Sequence, residues 1–225
     1  MSCLKNIKDQ FPIFKNKVNG KRLVYLDSAA SAQKPSIVIE SIKNAYENQY
    51  ANVHRGIYHL SQIATDAYEE SRDKVKKFLN AEDSKEIIFT RGATEGINLI
   101  AFCLMKNFLK EGDEVLISTL EHHSNIIPWQ LGCKGKKAKL IEVKPDENGD
   151  ITLDSIKNLI SDKTKIIAIP HVTNSLGSVL PIKEICREAK KKNIITVIDG
   201  CQAVPHLSVD LKNLDCDFYV FSGHK

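Results

Sequence analysis

Short apolar runs alternate with helical periodicity through most of the chain. After Pro35, the positions Ile37, Val38, Ile42, Ala45 and Tyr46 recur at helical spacing, and a second amphipathic helix is predicted over 61–79. The charged face of that helix (Glu69, Glu70, Arg72, Asp73, Lys74, Lys76, Lys77) reads as solvated surface. Strand-like runs follow at 86–90, 114–118, 140–143, 165–169, 194–198 and 218–221, with helices predicted from Thr94 and over 181–192. This is the βαβ rhythm of a largely parallel α/β sheet, whose strands are apolar throughout because helices cover both faces. An earlier short run at 23–27 ends in a polar turn. No internal repeat, low-complexity tract or Pro/Gly/Ser-rich linker divides the chain, which reads as an N-terminal arm (1–30) followed by one large domain (31–225).

Composition narrows the class without naming it. The 225 residues are 42% hydrophobic and 27% charged, enough to bury a continuous core without metal or disulfide staples. The net charge of +4 comes from 27 scattered lysines and only 5 arginines, unlike the clustered arginine-bearing groove that nucleic acid calls for. The longest apolar stretch, around 97–105, is interrupted by Asn98 and falls short of the roughly 18 residues of a membrane span. The first 14 residues show no cleavable apolar segment, so the expectation is a cytoplasmic protein that does not meet a membrane. Six cysteines, at 3, 103, 133, 186, 201 and 216, show no CxxC or zinc spacing and read as reduced thiols.

In a parallel sheet, ligands gather beyond the carboxyl ends of the strands. Those ends carry Arg91-Gly-Ala-Thr-Glu95, Glu121-His-His-Ser-Asn125, His171-Val-Thr-Asn174, Asp199-Gly-Cys-Gln202 and Ser222-Gly-His-Lys225. Gly92, Ala93 and Thr94 stand between a strand and a helix, where amides and the helix dipole favour a phosphate; a plain cap at Thr94 explains the same residues. Asp199 directly after a buried strand needs a cationic or hydrogen-bonding partner, such as a protonated pyridine, or is a buried turn former before Gly200. Lys225 is either one more surface lysine or a partly dehydrated amine able to condense with an aldehyde. Together the groups match what pyridoxal phosphate requires: a lysine, an acid for the ring nitrogen, phosphate donors and an aromatic ring, for which His122 is the candidate. Glu121, His122 and His123 also raise a metal reading, but adjacent residues point apart and no third ligand is placed, so no metal is expected.

The text around these residues resembles a known family. The segments 25–35 (YLDSAASAQKP), 53–57 (VHRGI), 91–98 (RGATEGIN), 121–129 (EHHSNIIPW), 199–206 (DGCQAVPH) and 215–225 (DCDFYVFSGHK) are similar to group II, or SUF-type, cysteine desulfurases. These are class V aminotransferase-like enzymes of PLP fold-type I. The resemblance implies the α/β large domain of that fold, with a mostly parallel sheet, ending before the last sheet strand and the small C-terminal domain. It implies pyridoxal 5'-phosphate as cofactor and Lys225 as the Schiff-base lysine. Asp199 would partner the ring nitrogen, Gln202 would bond the phenolic oxygen, and His122 would stack on the ring and assist proton transfer. Thr94, Ser222 and His224, with the amide near Ala93, would hold the phosphate; Asn174 would border the ring or the substrate carboxylate; His54 and Arg55 would lie on the pocket wall.

The implied reaction takes sulfur from L-cysteine as an enzyme persulfide, leaving L-alanine, and passes the sulfur to an acceptor protein of iron-sulfur cluster assembly. Family members are homodimers. The family's nucleophilic cysteine and its carboxylate-binding arginine fall beyond Lys225, and Cys201 reads as a packing residue. The strand that follows the lysine in the family runs between 86–90 and 217–221, so residues 1–225 alone are expected to aggregate or stay partly unfolded and to be inactive. Two other readings stand: a selenocysteine lyase or another class V enzyme, and an inactive shortened product or binding partner of a full-length homologue.

Overall fold

The computed structural model describes residues 7–225. Cys3 and the first six residues of the expected arm lie outside them. The chain divides into two compact units, one holding the residues up to Val75 together with His224–Lys225, the other Lys76–Gly223.

The first unit is mostly short elements. Strands β1 (Lys17–Val18) and β2 (Lys21–Arg22) form a hairpin closed by Asn19-Gly20, both with positive φ, as a two-residue turn of this kind demands. The run at 23–27 forms no strand; it leads into a turn in which Ala30 N–H bonds Asp27 O at 3.1 Å. Helix α1 (Ser36–Asn44) begins directly after Pro35 and buries none of its residues, so the predicted stripe of Ile37, Ile42 and Tyr46 faces solvent. Helix α2 (His59–Leu79) carries the expected charged face.

The second unit is built on a five-stranded sheet. In chain order come α3 (Ala93–Asn107), β3 (Glu114–Ser118), α4 (Ile127–Lys136), β4 (Lys139–Val143), α5 (Leu153–Lys157), β5 (Thr164–Pro170), α6 (Ile182–Lys191), β6 (Ile195–Asp199), α7 (Leu211–Leu214) and β7 (Phe218–Val220). The strands lie in the order β4-β3-β5-β6-β7, all parallel. Alternation along each strand splits the core in two. Val115, Ile117, Ile166, Ala168 and Val197 pack with Ala101, Leu104, Trp129 and Cys133 of α3 and α4. Leu116, Ile167, Ile169 and Ile198 point to the opposite face, on the side of Ile182, Ile185 and Ala189 of α6, and all seven are buried. Each such isoleucine or leucine contributes about 1.5–3 kcal/mol relative to exposure.

One expected strand is not in the sheet. The 86–90 run begins at the end of a short 3-10 helix, Ser84–Glu86, whose start is capped by the Asp83 carboxylate accepting Lys85 N–H at 2.9 Å. The residues after it run extended outside the sheet, with Ile88 72% exposed. β7 closes the sheet on that side, and a cleft of about 860 Å³ lies beyond it, lined by Leu79, Ile87, Leu99, Ile100, Phe218 and Val220. A run becomes a strand only beside another strand, and none occupies this cleft among the described residues.

Candidate active site

Because the sheet is parallel, the loops after β3, β5, β6 and β7 all leave from one end. Asp199 is the last residue of β6 and is 6% exposed. Its Oδ1 accepts the Cys201 N–H at 2.8 Å, and its carbonyl accepts the His171 N–H at 2.8 Å, which ties the ends of β5 and β6. Gly200 is required next: a Cβ there would meet the Tyr219 ring at 2.1 Å. Gln202 is buried one turn further on.

The phosphate candidates converge. Helix α3 starts at Ala93 with Gly92 as its N-cap, at φ 146°, a backbone conformation open to glycine, and Gly92 has no side chain with which to cap it. Thr94 is therefore not the cap, and its side chain lies in the exposed first turn. The Ala93 N–H donates to Ser222 Oγ at 3.2 Å, and Cys201 Sγ lies 3.8 Å from the same hydroxyl. The α3 N-terminus and the loops after β6 and β7 thus meet at one hydroxyl, with the positive end of a 15-residue helix beside it.

His122 caps the 3-10 turn His123–Asn125: its Nδ1 accepts the Ser124 N–H at 3.2 Å and lies 2.8 Å from Ser124 Oγ. A neutral ring held this way carries its proton on Nε2. His122 and Asn174 are exposed, on the loops after β3 and β5. Asn125 is fully buried and accepts the Trp129 indole N–H at 2.8 Å.

Sequence reasoning assigned no role to Tyr219 and raised Glu121 only within the metal reading. Tyr219 OH lies 2.9 Å from His171 Nδ1, and burial lowers the histidine's pKa while raising that of the phenol. The phenol therefore donates and the neutral imidazole accepts. Glu121 is also buried; desolvation first, then the charge of Asp199, raises its pKa well above the ordinary 4.5. Only the rule that a buried acid needs a partner could have singled it out, and the sequence does not show that it is buried.

His224, Lys225, His54 and Arg55 belong to the first unit. There the His224 carbonyl accepts the Ala32 N–H at 3.0 Å and Lys34 Nζ at 2.9 Å, and its ring lies 3.4 Å from Ser31 Oγ. Lys225 is half-buried. His54, at φ 69°, is held by Glu69 at 2.7 Å and by its N–H to Thr65 Oγ1 at 2.9 Å; Arg55 is exposed. Among the described residues no three His, Cys, Asp or Glu side chains are grouped to hold a metal, and no helix is long and apolar enough to cross a membrane. Burial raises the thiol of Cys133 to about 11 and those of Cys186 and Cys216 to about 12, so none of these three is a ready nucleophile.

Residues 24–225 match the family model described as Aminotransferase class-V. The chain belongs to this family. Within it, the chain is 48% identical over 219 residues to a protein named probable cysteine desulfurase from Halalkalibacterium halodurans, covering 97% of this chain and 54% of that one. A cysteine desulfurase from Thermococcus onnurineus, solved in its apo form, superposes with a TM-score of 0.91 at 35% identity, over 99% of this chain and 53% of that one. The Escherichia coli cysteine desulfurase CsdA, solved in an S-sulfonic acid form, superposes at 0.85 and 35% identity, covering 97% and 54%. The chain spans about half the length of the curated relatives it matches. The parallel α/β architecture expected from the resemblance is the one the family members share.

Proposed function

We propose that the whole protein is a pyridoxal phosphate-dependent cysteine desulfurase, and that residues 76–223 supply most of its cofactor cradle. The observation that carries this reading is the pairing of a buried acid, Asp199, with a glycine-capped helix N-terminus whose first amide shares a hydroxyl, Ser222, with the loop after β6. The donor set suits the cofactor: backbone amides and a hydroxyl for a phosphate at one point, and a dehydrated carboxylate for a ring cation at another.

When bound, the cofactor supplies an electron sink for the substrate Cα. Everything else falls to the chain. Asp199, whose Oδ1 already accepts the Cys201 N–H, would hold the ring nitrogen in its protonated form. His122, fixed by Ser124 with Nε2 carrying the proton, would present a flat ring and an imidazole able to pass a proton. Ala93, Thr94, Ser222 and His224 would hold the phosphate, Gln202 and Asn174 would flank the ring, and Lys225 would supply the amine for the aldehyde. Sulfur would leave L-cysteine by attack of an enzyme thiolate on the substrate sulfur: the S–S bond of a persulfide forms, the C–S bond breaks with its electron pair going to Cβ, and Cβ takes up a proton so that the carbon skeleton leaves as L-alanine. The raised thiols of Cys133, Cys186 and Cys216 favour a nucleophile elsewhere in the protein. A homodimer, an iron-sulfur assembly protein as acceptor and a cytoplasmic site belong to the same proposal.

Protein supplied with pyridoxal phosphate is expected to gain visible absorption that Lys225→Ala abolishes, and to release alanine from cysteine in the presence of dithiothreitol. Absorption without alanine release, in full-length protein, would favour a non-catalytic relative; faster turnover of selenocysteine than cysteine would favour a selenocysteine lyase.

A further inference from the structure

Glu121 has no role in the reading above, yet it is the least comfortable side chain in the second unit. It follows β3, is 9% exposed, and neither carboxyl oxygen makes a hydrogen bond. Asn125 is fully buried, and its Nδ2 is likewise without a partner. The Asn125 amide and the His122 N–H lie near enough to pull weakly on the carboxyl, but not in bonding geometry. Three orphaned polar atoms in one buried spot are destabilising unless something satisfies them.

The chemistry of the spot selects the answer. Asp199 is the charged group that acts on Glu121 across the end of the sheet, and His122 is its titratable neighbour in the loop. Two buried carboxyls that feel each other without a cation do not both ionise. Asp199 Oδ1 accepts a backbone N–H, whereas neither Glu121 oxygen accepts a hydrogen bond, so the proton sits on Glu121. A protonated carboxyl and a primary amide are complementary, since the acid O–H can donate to the amide oxygen and the amide N–H to the acid carbonyl. Asn125 Oδ1 already accepts from Trp129 and has a second lone pair to offer.

We propose that Glu121 and Asn125 are positioning residues, an uncharged acid–amide pair anchored on Trp129 that seats the His122 loop and leaves the negative charge on Asp199. This rests on the reading of Asp199 as the ring-nitrogen acid. Glu121 does not touch the reacting atoms; it acts through His122 and Asp199.

The experiment uses full-length protein, with and without pyridoxal phosphate. Infrared spectra at pH 7 should show the carbonyl band of a protonated carboxylic acid that Glu121→Gln removes. With cofactor loaded, Glu121→Gln, which keeps the neutral shape, should hold the pH midpoint of the visible band, and Glu121→Ala should move it by about one unit or more. A band that is missing, or that survives in Glu121→Gln, overturns the pair. Equal midpoints in wild type, Gln and Ala proteins reduce Glu121 to packing and overturn the positioning role. Asp199→Asn with an unaltered visible spectrum overturns the ring reading and the positioning role with it, while the infrared band still reports on the pair.

Discussion

The Tyr219 hydroxyl lies 2.9 Å from His171 Nδ1, with the two rings edge to face at 89°. This single bond joins the loop after β5 to β7, 48 residues further along the chain, across the end of β6 that carries Asp199. It is also the contact that Gly200 makes room for, since any side chain there would enter the Tyr219 ring.

Tyr219→Phe is therefore expected to destabilise the second unit by about 1–3 kcal/mol, because His171 Nδ1 loses its donor while still buried. The measurement is urea unfolding at pH 7. His171 also imposes a pH dependence. Its folded pKa is lowered by burial, so the unfolded chain binds the extra proton, and stability is full above about pH 6.5 and declines as pH falls below it. His171→Gln should flatten that acid limb. An unchanged limb in this variant would show that the decline comes from other groups.

Glu121 imposes the opposite slope. Its folded pKa is raised, so its contribution is complete below about pH 4.5 and is lost as pH rises towards the folded value. Glu121→Gln cannot ionise and should gain stability over wild type with rising pH above 4.5, by up to about 1.4 kcal/mol per pH unit. Paired unfolding curves at pH 5, 6 and 7 measure the difference; a constant gap would contradict a titrating Glu121.

The thiols should sort by reactivity. Cys103 is exposed on α3, whereas burial raises Cys133, Cys186 and Cys216 to about 11 or 12. Brief iodoacetamide treatment of native protein at pH 8 is expected to label Cys103 well before those three, with all of them reacting once urea is added. Peptide mass spectrometry gives the order directly.

The cleft beside β7 should behave as an open apolar edge in residues 1–225 expressed alone. Such protein is expected to bind an apolar dye and to associate with rising concentration, as a sheet edge above an apolar slot does. Phe218→Lys, which puts a charge on that edge, should reduce both. Dye fluorescence and light scattering across a concentration series test it; monomeric protein that ignores the dye would mean the cleft is closed in solution.

Much of the second unit was legible beforehand. The run at 114–118 is β3 residue for residue, and the four later runs match β4 to β7 to within a residue at each end, because strands packed into a parallel sheet concentrate apolar residues, most fully in the buried β5 and β6 and less in the edge strands β4 and β7. The 86–90 run carries the same text and is no strand here. Apolar residues record that a segment wants to be buried, but a ladder also needs a neighbour. The Asn19-Gly20 hairpin was written in the sequence and passed over, since its strands are only two residues long and have no apolar alternation.

Local pattern, then, was enough to establish a parallel α/β sheet, two of its helices (α3 and α6), and an acid, a glycine-led helix and a histidine at strand ends, since each depends on a few consecutive residues. The tertiary structure decided that β3 lies between β4 and β5, that Ala93, Cys201 and Ser222 meet, and that Glu121 is buried where it feels Asp199. Strand neighbours and the charge state of a carboxyl depend on distances through space and on lost hydration, and one-dimensional spacing carries neither.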